Sequence, residues 1–219
     1  MIVTIDGPAG TGKSTTARGL AERLGFDFLD TGAMYRAIGW ACLEAGVDPS
    51  DPEEAARIAA STVIEFRDGR TLAGGQDVTE AIRTSPVSQA ASLVAQVPAV
   101  RQELVRQQRR LAAGRRIVCE GRDQGTVAFP EADCKFFLTA DREERARRRY
   151  RELLAKGAAV PLDELLAEQT ARDERDQNRT EAPLAAAADA ITIDTTAMSS
   201  DDVLDVLEQH VRLRMPSGD

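Results

Sequence analysis

Several residue types that build catalytic or structural centres are scarce in this chain. Three cysteines, Cys42, Cys119 and Cys134, are odd in number and lack metal-ligand spacing. They exclude a disulfide framework or a zinc ribbon and are expected to pack as small apolar residues in a reducing compartment, the cytoplasm. The single histidine, His210, falls in a terminal amphipathic helix and is expected at the surface, leaving no histidine for acid–base chemistry. Asn178 is the only asparagine and is followed by Arg179, so the Asn-Lys-x-Asp guanine reader of a GTP-binding switch is absent. No signal-peptide pattern precedes the first apolar strand, and no apolar run approaches the length of a membrane span. The net charge of −8 argues against a general nucleic-acid surface. Lysine is reduced to Lys13, Lys135 and Lys156, and arginine carries the other 25 of 28 basic residues. Arginine suits bidentate gripping of phosphate.

One of those three lysines stands in the most informative segment. Gly7-Pro8-Ala9-Gly10-Thr11-Gly12-Lys13-Ser14, continued by Thr15, follows the apolar run Met1–Ile5 and precedes a helix-forming stretch. This is G-x-x-x-x-G-K-S in strand–loop–helix context, the pattern of a phosphate-binding P-loop. Its glycines let several backbone N–H groups point inward, and the helix adds its positive end. Lys13 is then placed to reach the β/γ-phosphates of a nucleoside triphosphate, and the Ser14 hydroxyl suits a Mg²⁺ ligand.

The rest of the chain alternates strand and helix. Helices are expected over about 15–24, 33–44 and 53–61, with strands at 26–29, 116–120, 133–138 and 190–193. Ser85-Pro86 reads as a helix start with Ser85 as cap, and Pro98 opens another helix to about residue 113. Three short strands near 63–67, 70–73 and 76–78 interrupt the βαβ rhythm and read as an antiparallel insert. A charged helical region runs from 141 to 179 with breaks near Gly157 and Pro161. A last amphipathic helix over 201–214 carries Val203, Leu204, Leu207 and Val211. The expected architecture is one α/β domain over 1–219, a doubly wound parallel sheet flanked by helices and bearing inserts.

Three arginine-bearing segments have spacings that point to a site, two of them at the carboxyl ends of strands, where open α/β sheets bind ligands. Asp30-Thr31-Gly32-Ala33-Met34-Tyr35-Arg36 follows one strand, and Glu120-Gly121-Arg122-Asp123 follows another. Arg172, Asp176 and Arg179 stand at i, i+4 and i+7 and share a helix face, so two cations and a carboxylate face the same way. The plain alternative for that face is a solvated surface laced by ion pairs of little energetic worth. The same alternative holds for Arg145, Arg148 and Arg149, unless their helix is a hinged lid that folds over transferring phosphates.

Taken together, the P-loop, Asp30–Arg36, Glu120-Gly121-Arg122-Asp123-Gln124-Gly125-Thr126 and Arg172-Asp173-Glu174-Arg175-Asp176-Gln177-Asn178-Arg179 resemble the bacterial cytidylate kinases, a nucleoside monophosphate kinase family. The resemblance spans essentially the whole chain. It implies a region over about 31–100 that binds the nucleoside monophosphate, including the antiparallel insert near 63–83, and a lid over about 142–160. It also implies that Arg36, Arg122 and Arg179 grip the acceptor phosphate and that Thr31, Arg172 and Asp176 contact the sugar hydroxyls. Ser92, Arg101 and Asp123 would read the cytosine edge, where a carboxylate can accept from the 4-amino group that uracil lacks.

The expected reaction is then MgATP plus CMP or dCMP giving ADP plus CDP or dCDP. The nucleophile is a phosphate oxygen already ionised near neutral pH, since a monophosphate loses its second proton at about pH 6. No general base is needed, and catalysis rests on alignment and charge neutralisation by Lys13, Arg122 and Arg179 with Mg²⁺ at Ser14. Glu120 or Asp123 is expected to orient metal-bound water, with the choice between them open. A monomer with no membrane or nucleic-acid partner completes the expectation. The rival readings are a shikimate-type small-metabolite kinase, which wants a carboxylate base for a hydroxyl acceptor, and a non-catalytic nucleotide-binding module.

Overall fold

The computed structural model describes residues 1–155, 157–158, 160–179 and 181–215. The chain divides into two compact units, one of residues 1–29 with 114–219 and one of residues 30–113.

The first unit is organised by a five-stranded sheet. β1 (Ile2–Asp6), β2 (Asp27–Asp30), β6 (Ile117–Glu120), β7 (Cys134–Thr139) and β8 (Ile191–Asp194) lie in the order β2-β6-β1-β7-β8. β1 pairs in parallel with β6 and with β7, and β7 pairs in parallel with β8. Central strands of such a sheet are covered on both faces and therefore read as continuous apolar runs, as Ile117-Val118-Cys119 does. β1 ends in Asp6 and β6 in Glu120, so the sheet delivers two carboxylates at the carboxyl ends of neighbouring strands.

α1 (Lys13–Leu24) and α8 (Ser200–Arg212) pack together over one face of this sheet. Their buried side chains, among them Leu20, Leu204, Leu207 and Val211, join Val3, Ile5, Val118, Phe136 and Leu138 in one core. Ser199 caps α8 in a reciprocal capping box with Asp202, which fixes where this helix starts. α6 (Arg142–Ala155) packs against α7 (Leu162–Gln177). The segment expected as a lid runs through these residues, and its Lys156 and Ala159 lie outside the described residues.

The second unit is helical with a small sheet. α2 (Thr31–Glu44), α3 (Pro52–Ser61), α4 (Ser85–Val94) and α5 (Pro98–Ala112) surround the antiparallel strands β3 (Ile64–Arg67), β4 (Arg70–Ala73) and β5 (Gln76–Asp77). Gln107 of α5 ties the sheet in, accepting from the Ile64 N–H and donating to the Thr62 carbonyl at 3.0 Å each. One local expectation differs in its chemistry. Ser85 lies inside α4, and Thr84 is the capping position without a side-chain cap bond. Pro86 then falls one residue later in the first turn, still where no backbone N–H is needed.

α2 and α4 approach so closely that no side chain fits between them at Gly39. A Cβ there would lie 2.8 Å from the Ala91 nitrogen and 3.1 Å from the Ala90 Cβ. Gly39→Ala is therefore expected to lower the melting temperature. Overpacking against backbone costs about 1–3 kcal/mol, which exceeds the roughly 1 kcal/mol gained in helix propensity. An unchanged or higher midpoint in thermal unfolding of the full chain would show that the two helices part without cost.

Candidate functional site

The P-loop leaves β1 through a position that only glycine can occupy. Gly7 has φ +143°, and a Cβ there would sit 2.1 Å from the Leu138 carbonyl oxygen of β7. This close approach brings the loop onto the carboxyl ends of the central strands. Gly12 follows with φ +88° as the residue before α1, so the first N–H groups of that helix open toward the loop.

Inside the loop the Lys13 ammonium is buried and turned back on its own backbone. It donates to the Pro8 carbonyl at 2.5 Å and to the Thr11 hydroxyl at 3.3 Å. Burial pushes the Lys13 pKa well below its ordinary value, Arg122 and Arg172 push the same way, and Glu120 and Asp6 oppose them. A cation desolvated beside two arginines has a strong electrostatic reason to receive an anion. Ser14, on the exposed side of the same turn, donates its hydroxyl proton to Glu120 at 2.5 Å. The P-loop hydroxyl and the strand-end carboxylate are thus brought together.

α7 supplies the counter-charge. Asp176 is almost fully buried and bridges two arginines, accepting from Arg122 Nε at 3.1 Å with one oxygen and from Arg179 with the other. Burial pushes its pKa up, but Arg122, Arg179 and Arg172 outweigh that and hold the carboxyl below its ordinary range. The i, i+4, i+7 face is therefore not a solvated surface. Asp173, one residue beyond Arg172, takes a 2.5 Å bond from Arg145.

The three arginines expected on a lid fall in different places. Arg145 is buried and also donates to the Ala9 carbonyl of the P-loop at 3.0 Å and to the Ala140 carbonyl at 3.1 Å. Arg148 donates to the Thr195 hydroxyl at 3.1 Å and the Thr195 carbonyl at 2.5 Å, and the Thr195 hydroxyl donates onward toward the Thr11 carbonyl at 3.3 Å. Arg149 lies on the solvent side with Glu152 at 3.2 Å. Thr195 had no motif to announce it, and Asp173, although it stands in the Arg172–Arg179 segment, was given no role there, because each acts through a contact distant in sequence.

The loop after β6 completes this cluster in the first unit. Arg122 and Asp123 lead into a single π-helical turn over Gln124–Ala128, in which the Asp123 carbonyl accepts from the Val127 and Ala128 N–H groups. The start of the turn rests on Asp6, whose two carboxylate oxygens accept the Gln124 N–H at 2.9 Å and the Gly125 N–H at 2.8 Å. Burial raises the Asp6 pKa to about 6 despite those two bonds, with Asp123 adding to the rise and Lys13 opposing it.

The remaining candidates belong to the second unit. Asp30 caps α2 by accepting the Ala33 N–H at 2.7 Å, and the same carboxylate holds Arg36 at 3.1 Å. Thr31 is the buried first residue of that helix. Ser92 on α4 and Arg101 on α5 are both buried, contrary to the exposure usual for polar and charged helix positions. Arg101 donates to the Ala95 carbonyl at 3.3 Å and lays its guanidinium 5.7 Å from the centre of the Tyr35 ring.

Among the described residues no cluster of three or more His, Cys, Asp or Glu could hold a metal by itself, and no helix is long and apolar enough to cross a membrane. The chain matches the family model described as cytidylate kinase over residues 3–213. It is 48% identical to the cytidylate kinase of Rhodopirellula baltica over 212 residues, covering 97% of this chain and 93% of that one. It is also 48% identical to the cytidylate kinase of Geobacter sulfurreducens, with 98% and 94% covered. Among solved structures, a shikimate kinase from Bacteroides thetaiotaomicron superposes with TM-score 0.50 at 12% identity, over 97% of this chain and 98% of that one, which shows a shared fold.

The raised Asp6 pKa has a measurable consequence. The folded state holds this proton more tightly than the unfolded chain, so the group's contribution is present below its ordinary value of 3.8 and is lost as pH rises through about 6. Stability relative to Asp6→Asn is expected to fall by roughly 2 kcal/mol between pH 4 and pH 7 in urea melts, the larger part of the whole linkage at 1.36 kcal/mol per pKa unit. A flat difference across that range would mean that Asp6 ionises as freely folded as unfolded.

Proposed function

The chain belongs to the cytidylate kinase family, and from that membership we propose how its residues divide the transfer of the γ-phosphoryl group of ATP to CMP or dCMP. The carrying observation is the buried Asp176 between Arg122 and Arg179, in the same unit as a P-loop whose lysine is desolvated beside Arg122 and Arg172. A cluster of four cations of this kind suits a ligand that carries several negative charges.

ATP is the phosphoryl donor. The loop Gly7, Pro8, Ala9, Gly10, Thr11, Gly12, Lys13, Ser14 and Thr15 wraps its phosphates, with Lys13 leaving the Pro8 carbonyl for the γ-phosphate. Ser14 and Glu120 fit a magnesium ion, because Mg²⁺ takes one or two protein oxygens and fills its remaining positions with phosphate and water. The 2.5 Å contact between them favours Glu120 over Asp123 as the residue that orients metal-bound water. When bound, the ion neutralises charge on the donor phosphates.

On the acceptor side Arg36, Arg122 and Arg179 bind the monophosphate, Thr31, Arg172 and Asp176 the sugar, and Ser92, Arg101 and Asp123 the base. Residues 31–100 form the acceptor-binding region with its insert at 63–83, and 142–160 the lid that excludes water as an acceptor. Arg145 and Arg148 anchor that lid to the P-loop and to Thr195, which supports a role in registering lid and loop. The lysine and arginines neutralise charge as it moves from donor to acceptor, and no residue has to remove a proton. The enzyme works as a cytoplasmic monomer on free nucleotides. Three buried thiols and an acidic net charge support that setting.

Release of ADP from MgATP, with CMP, dCMP, UMP, AMP and shikimate offered separately, is expected to be rapid with CMP and dCMP only. Turnover with shikimate alone would discard the acceptor assignment. Asp123→Asn is expected to reduce the preference for CMP over UMP with the KM for ATP unchanged, and intact selectivity would remove Asp123 from base reading. Asp176→Ala weakens both acceptors by releasing Arg122 and Arg179. It is expected to raise the KM for CMP roughly tenfold more than for dCMP if Asp176 also holds the 2′-hydroxyl, the effect of one charged hydrogen bond. Equal losses would leave it only the arginines.

A further inference from the structure

Asp6 is a buried ionisable group that the mechanism above does not use. It sits on the central strand with both oxygens engaged by the backbone N–H groups of Gln124 and Gly125. Those are the first two N–H groups of the π-helical turn, which a helix leaves without internal partners. The carboxylate therefore caps that turn from another strand. Immediately before the turn stand Arg122 and Asp123.

The surroundings leave the turn little freedom. A Cβ on Gly125 would lie 3.0 Å from the Thr4 hydroxyl and 3.3 Å from Lys135 Cδ, so the backbone lies flat on β1 and β7. Thr4 and Lys135 are register partners on those strands, and Lys135 is itself fixed by bonds to the Pro130 carbonyl and to Asp189. The charged and titratable groups acting on Asp6 are Lys13 from the P-loop and Asp123 from the capped loop, and Asp6 acts in turn on Cys119 of β6.

We propose that Asp6 is a positioning residue for the acceptor side of the reaction, capping the Gln124–Ala128 turn so that Arg122 and Asp123 are held in register with the P-loop. It rests on the reading of those two residues as acceptor contacts. An amide cannot replace the carboxylate, because one of its two polar ends is a donor facing a donor. Asp6→Asn therefore keeps the shape and loses one of the two bonds.

The test compares native enzyme, Asp6→Asn and Arg122→Lys by amide hydrogen exchange over peptides covering Gly121–Phe129 and by the KM values for CMP and ATP. For Asp6→Asn, faster exchange confined to that peptide is expected, with the KM for CMP raised about tenfold, the equivalent of about 1.4 kcal/mol, and the KM for ATP within twofold. A rise in the KM for ATP as large as that for CMP would place the action of Asp6 on the P-loop and overturn the proposal. So would unaltered exchange at Gly121–Phe129, or faster exchange throughout the chain, since either denies a local cap. If Asp6→Asn loosens the turn without raising the KM for CMP, Arg122→Lys separates the causes. A raised KM in Arg122→Lys overturns the positioning role of Asp6. An unchanged KM there overturns the acceptor reading of Arg122, and the proposal with it.

Discussion

The arrangement depends on confining positive charge. Arg122 and Arg172 act on Lys13, and the same two arginines act with Arg179 on Asp176, in a partly desolvated region where like charges repel more strongly than in water. Asp176 makes that tolerable. One carboxylate holds two guanidinium groups with separate oxygens, and three arginines keep it ionised despite its burial. Removing one partner from such a buried set costs about 3–5 kcal/mol, because the groups left behind stay charged and unpaired. Under the proposed roles, a phosphate arriving at these arginines would compete with Asp176 for the same donors, so that affinity and pre-organisation would be two uses of one set of hydrogen bonds.

Carboxylates recur as the organising partners. Glu120 holds the Ser14 hydroxyl, Asp6 holds the turn beyond Asp123, and Asp173 holds Arg145, which in turn holds the Ala9 carbonyl. Each links the P-loop or its supporting strand to a segment far away in sequence. In the second unit Asp30 does the same over a shorter span, capping α2 and fixing Arg36 with one carboxylate. In a chain with 36 acidic residues and a net charge of −8, a few of the acids thus serve to hold particular arginines and backbone groups in place.

Much of the fold was legible beforehand. The P-loop was readable because its glycines, lysine and serine are contiguous and each meets a local need. The antiparallel insert was readable from Asp68-Gly69 and Gly74-Gly75, two turn signals between short apolar runs. The four apolar residues foreseen in the last helix are its buried ones. Less legible were the cap at Thr84, which a serine beside a proline disguised, and the burial of Ser92 and Arg101. The composition of their helices does not mark which face meets Tyr35 or the rest of the unit.

By itself, the sequence determined where strands and helices alternate, where the phosphate loop lies and which arginines share a helix face or follow a strand. These are properties of residues near one another along the chain, set by backbone preference and periodicity. Only the tertiary structure decided which carboxylate answers which cation. Asp176 pairs with Arg122 across 54 residues, Ser14 with Glu120 across 106, and Asp6 meets Gln124 across 118. No local rule encodes such pairs. They exist because a parallel sheet sets the ends of distant strands side by side, and because a buried charge has to find its partner there.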